Sequence, residues 1–109
     1  MEAVERLPPT ASGLDDGDAV PYFLFWTDVT VIRFRELLSA PDPEVRAYWL
    51  GALLREANTR DVWLFTSPSE LRALWPRISR HLGNSRLMWA YLLDLEAPLW
   101  PPAEARRAV

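Results

Sequence analysis

The 109-residue chain contains no cysteine and no lysine, a single histidine (His81) and four scattered glycines. Without cysteine there is no disulfide framework, thiolate zinc site or cysteine nucleophile, a composition that fits a reducing cytoplasm. One histidine excludes any site that needs two imidazoles. Four separated glycines leave no phosphate-binding loop, and neither a dinucleotide fingerprint nor a serine-centred elbow is present. No charge-free stretch exceeds nine residues (19–27, with seven at 87–93), far short of the roughly 20 residues of a membrane span. The first residues lack the apolar run of a secretory signal. The composition calls for no cofactor or metal, and we expect a cytoplasmic protein that does not enter a membrane.

Six tryptophans and twelve arginines stand against these absences, with fifteen acids giving a net charge of −3. Arginine in place of lysine throughout is what a GC-rich genome gives. Half of the residues are hydrophobic and a quarter charged, which suits one globular domain with a modest core.

Residues 1–20 carry Pro8, Pro9, Gly13, Gly17 and five acids with little periodicity, and read as a flexible acidic leader. Residues 97–109 hold Pro98, Pro101 and Pro102 and read as a tail, leaving 21–96 as the folded domain. The expected fold class is all-α, a compact bundle of four to five short helices preceded by an aromatic arm. That arm is Tyr22-Phe23-Leu24-Phe25-Trp26, too short for a core helix and without a partner strand, so it is expected to be extended across a groove.

Thr30 can cap a first helix reaching Ser39, with Ile32, Leu37 and Leu38 inward. Asp42, Pro43 and Glu44 start a second, with Val45, Trp49, Ala52 and Leu53 as its apolar stripe and Asn58 and Thr59 beyond its end. Residues 61–65 form a link. Ser67-Pro68-Ser69-Glu70 is a capping box opening a third helix with Leu71, Leu74, Trp75, Ile78 and Leu82 inward, closed by Gly83. Pro76 should kink it near Trp75 or split it in two. The last helix, from Asn84 or Ser85 to Glu96, is apolar on most of its circumference. Such a helix is either central or half of an interface.

The second and third helices begin alike: Glu44-Val45-Arg46-Ala47-Tyr48-Trp49 and Glu70-Leu71-Arg72-Ala73-Leu74-Trp75 share four of six residues, 26 apart. Pro41-Asp42-Pro43-Glu44-Val45-Arg46 also resembles the start of a helix in HEAT-type repeats, so HEAT-like helix pairs are one form the bundle can take.

No cluster of histidines and carboxylates suggests catalysis, and Asp94 and Glu96 lie on different faces. Arg77 and His81 are four apart and share a helix face, an arrangement that resembles, with a shorter spacing, the Arg and His motif of HEPN ribonucleases. Charge is uneven. Residues 1–56 hold ten acids and five arginines, net −5, and residues 57–109 hold five acids and seven arginines, net +2. Arg72, Arg77, Arg80 and Arg86 lie in a segment, 71–93, with no acid, a face that could meet RNA, DNA or an acidic protein. Trp49 and Trp75 sit on stripes. Trp26, Trp63, Trp89 and Trp100 add more aromatic surface than such a core absorbs, and aromatic and arginine side chains dominate interface hot spots.

The segment Phe23-Leu24-Phe25-Trp26-Thr27-Asp28, followed by helices carrying Arg46, Trp49, Leu53 and Leu54, resembles the small proteins encoded beside AbiE-type nucleotidyltransferase toxins in bacteria. The resemblance covers about residues 21–93. It implies the antitoxin or accessory half of a toxin–antitoxin pair, a non-enzymatic protein that binds the nucleotidyltransferase, with no catalytic residues to carry over. The expected partner-binding residues are Phe23, Trp26 and Trp89 as apolar anchors, with Arg77, Arg80 and Arg86 for charge. The alternatives are a nucleic-acid-binding module using the Arg72 to Arg86 face and a HEPN-like ribonuclease. A homo-oligomer is also open.

Overall fold

The helix that organises the molecule starts where Pro43 follows Asp42, whose carboxylate accepts the Glu44 N–H at 2.9 Å. Proline needs no N–H at the first helical position, and Glu44 complements the positive helix end. In the computed structural model, which describes residues 13–95, this helix runs Pro43–Glu56 and is the second of six α-helices. We label them α1 (Val31–Leu38), α2 (Pro43–Glu56), α3 (Thr59–Val62), α4 (Pro68–Ala73), α5 (Trp75–Ile78) and α6 (Arg86–Leu92). Short 3-10 turns lie at Tyr22–Leu24, Ser79–His81 and Gly83–Ser85, and no strand occurs among the described residues. The fold is all-α.

Ala47, Leu50, Ala52, Leu53 and Leu54 of α2 are all buried. The helix is covered by α1, by α5 with the Ser79–His81 turn, and by the Tyr22–Leu24 turn. A central helix needs apolar residues on more than one stripe, so the expected set of Val45, Trp49, Ala52 and Leu53 was too narrow. Val45 and Trp49 are only half-buried.

In α1 the inward residues are Val31, Phe34 and Leu38, while Ile32 is 57% exposed and Leu37 half-buried. The spacing of three and four residues fixes the face, and Ile32 falls off it. Thr30 caps the helix as expected, accepting the Arg33 N–H at 3.3 Å.

The aromatic run is not extended. Tyr22–Leu24 coils into a 3-10 turn, which drives Phe23 and Leu24 into the core. Phe23, Phe34 and Phe65 then meet edge to face in a triangle with ring centroids 5.3–5.6 Å apart. Such contacts add about 0.5–1.5 kcal/mol per pair beyond area burial. Only the wider core supplies the partners for this turn, so the local pattern could not show it. The last part of the leader is docked too: Leu14 is buried, and Ala19 and Gly17 accept the N–H groups of Val31 and Ile32. Residues 1–12, and the tail from 97 onward with Trp100, lie outside the described residues.

Residues 61–65 are partly helical. Asn58 caps α3 through the Arg60 N–H, and Asp61 within it is fully buried. The Tyr22 hydroxyl donates to Asp61 Oδ2 and accepts the Asn58 N–H, both at 2.7 Å, joining the 3-10 turn to α3.

Pro76 splits the third expected helix into α4 and α5 at Leu74. Its ring cannot follow a continuous helix, but it suits the first turn of a new one. Leu71, Ile78 and Leu82 face the core, whereas Leu74 and Trp75 are half-buried. The two similar starts share an N-cap and a proline, yet they lead into helices of 14 and 6 residues.

Candidate interaction surface

The last helix is shorter than expected, and its ends are well defined. It follows the Gly83–Ser85 turn and stops at a left-handed residue, Asp94, with φ of 56°. The Leu95 N–H reaches back to the Ala90 oxygen at 2.9 Å and the Asp94 N–H to that of Tyr91 at 3.1 Å, the paired bonds of a Schellman stop. Arg72 Nε donates to the Leu93 oxygen at 2.9 Å and ties this end to α4.

Within α6 the inner side is set by Trp89, Ala90 and the following Leu93, all buried. The Trp89 indole donates to the Leu54 oxygen at 2.9 Å, satisfying a carbonyl in the last turn of α2. Trp63 packs edge-on against Trp89 at 5.8 Å and is 37% exposed. The outer side carries Leu87, Met88, Tyr91 and Leu92, at 43%, 43%, 81% and 47% exposure. At 100° per residue these four cover one continuous strip opposite the buried side. So α6 is apolar on both sides but has core beneath only one.

The expected contact residues do not gather on this strip. Phe23 and Trp89 are core side chains, because the 3-10 turn and the Leu54 bond pull them inward, and they present nothing to a partner. Trp26 is at the surface, edge-on to Phe25 at 5.1 Å and beneath the Arg55 guanidinium at 5.8 Å. Glu44 from α2 enters the basic face: its carboxylate is 2.9 Å from Arg77 Nε and 3.7 Å from Arg80 Nη1. A segment without acids in sequence therefore acquires one in space. Arg72 is engaged by the Leu93 carbonyl, so Arg72, Arg77 and Arg80 all have internal partners. Arg86 is half-buried at the start of α6.

His81 stacks edge-on against Tyr48 at 5.5 Å, and its backbone oxygen accepts from Arg55 at 2.8 Å. Burial holds its pKa below the ordinary 6.5, helped by the Arg80 and Arg55 charges and opposed by Glu44. Among the described residues no group of three or more His, Cys, Asp or Glu could hold a metal ion.

The residues absent from the expected set are Leu87, Met88, Tyr91 and Leu92. Their signal was present in the all-round apolar composition of the last helix, but which half faced outward depended on where Trp89 found a partner. No helix among the described residues is long and apolar enough to cross a membrane. No family model, curated protein or solved structure matches the chain.

Proposed function

We propose that the protein is a non-enzymatic, cytoplasmic interaction module whose outer α6 strip inserts into an apolar groove on another protein, and that this partner is a nucleotidyltransferase toxin which it neutralises. The observation that carries the interaction is the strip itself. Four adjacent large apolar side chains remain at the surface of a small domain, and contiguous patches of this kind mark interaction sites. The choice of partner rests on the resemblance of residues 21–93 to accessory proteins of such toxins. A second copy of the chain is the poorer occupant. A seven-residue helix rises only about 10 Å, so α6 paired with itself falls well short of the roughly 800 Å² per partner of a stable interface. A groove that also covers Trp63 supplies more area, in the helix-in-groove mode. The internal partners of Arg72, Arg77 and Arg80 leave less charge for nucleic acid.

Co-expression with the product of the neighbouring gene, which this reading expects to be a nucleotidyltransferase toxin, tests it. A stable complex and relief of toxicity are expected. Met88→Glu with Leu92→Glu should abolish both without changing the thermal midpoint, because these side chains touch solvent. No complex, or one that tolerates both charges, would overturn the proposal.

A further inference from the structure

The chain leaves α6 at a fixed point. After the left-handed Asp94, Leu95 is held by its N–H bond to the Ala90 oxygen and packs its side chain against the core. The sequence that follows, Ala97-Pro98-Leu99-Trp100-Pro101-Pro102-Ala103, is apolar and uncharged throughout, between Glu96 and Glu104. An apolar segment is thus tethered directly to the helix whose outer strip is apolar and exposed. Bringing the two together desolvates no charge.

The lengths allow it. Five residues from Leu95 to Trp100 span up to about 17 Å, whereas the strip from Leu92 back to Leu87 rises only about 7.5 Å. Met88 and Tyr91 are three apart and adjacent on the helix surface, a ridge that one indole ring can cover. Each proline fixes its own φ and restricts the residue before it, so this sequence has less backbone entropy to lose on docking than an ordinary tail. Tethering also removes the area requirement that excludes a second copy. A segment on a short linker is present at its site at about millimolar effective concentration, so a small, weak contact is populated.

We propose that the segment Pro98-Leu99-Trp100-Pro101 folds back over the outer strip of α6, with the Trp100 ring on Met88 and Tyr91, and is an internal occupant that a protein partner must displace. This rests on the reading of the strip as a binding surface and adds its regulation. A partner groove that also takes Trp63 buries more area than so short a segment and displaces it.

The test is methionine-methyl NMR on the full chain, in which Met1 and Met88 are the only two methionines. Nuclear Overhauser contacts should join the Trp100 ring to the Met88 methyl group, and Trp100→Ala should shift that methyl signal, equally at every protein concentration. Trp100→Ala should also tighten the complex with the product of the neighbouring gene about two- to tenfold, because the binding-competent state is no longer shared with a closed one. A Met88 signal indifferent to Trp100→Ala, or a complex no tighter in that variant, would overturn the proposal. So would a contact that vanishes on dilution, which assigns the tail to a second copy. An indifferent Met88 signal beside a complex that Met88→Glu with Leu92→Glu breaks would sink the internal occupant and leave the functional reading intact. The contact without any complex would do the reverse.

Discussion

Gly51 faces His81 with no room for a side chain between them: a Cβ at position 51 would lie 2.6 Å from the His81 Cβ. Here α2 and the Ser79–His81 turn are in close contact, and the colliding atom is anchored to the backbone. Gly51→Ala should therefore destabilise the fold, although the same change in an open helix stabilises by about 1 kcal/mol. Overpacking costs typically 1–3 kcal/mol. Urea denaturation should show the loss, with recovery on His81→Gly and none on His81→Ala, which keeps the offending carbon.

The Trp89 indole bond to Leu54 makes Trp89→Phe a test of how α6 is fixed. The substitution leaves a buried carbonyl unpaired, a cost of about 1–3 kcal/mol, with a cavity cost in addition. A melting temperature equal to wild type would show that the bond is dispensable.

His81 is the only histidine, so its imidazole signal stands alone in a proton titration. Its midpoint should fall below 6.5, and Glu44→Gln should lower it further by removing the one acid that opposes the shift. The folded pKa being the lower, the unfolded chain takes up the proton first. Stability is therefore undiminished above about pH 6.5 and declines as the pH falls through that value towards the folded pKa. His81→Gln should flatten this decline in denaturant midpoints measured across the same range.

Asp94 stops α6 in a conformation that glycine adopts without strain. Asp94→Gly should be neutral or stabilising by up to about 1 kcal/mol, and Asp94→Val destabilising, because a β-branched residue resists positive φ. Thermal melts of the pair decide it, and a valine variant as stable as the glycine one would exclude the Schellman stop.

Capping chemistry was the most legible part of this sequence. Thr30, Asp42 and Ser67 cap helices where their side chains predict, and Pro76 divides the third helix as its missing N–H requires. These effects act within a few residues, so the chain alone determines them. Facing was less legible. The pattern of α1 suggests Ile32, Leu37 and Leu38 inward, whereas Val31, Phe34 and Leu38 are the buried set, since a short helix with apolar residues on adjacent positions offers two similar stripes.

The sequence by itself determined an all-α chain, where its helices begin and break, and that its last helix carries more apolar surface than one side can bury. Tertiary structure decided which aromatic rings are core and which are surface, because Phe23 and Trp89 depend on Phe34, Phe65 and the Leu54 carbonyl, all distant in sequence. It also placed Glu44 beside Arg77 and Arg80, altering a basic face that looked free of acids. Burial and charge pairing are sums over neighbours in space, and those neighbours exist only once the helices have packed.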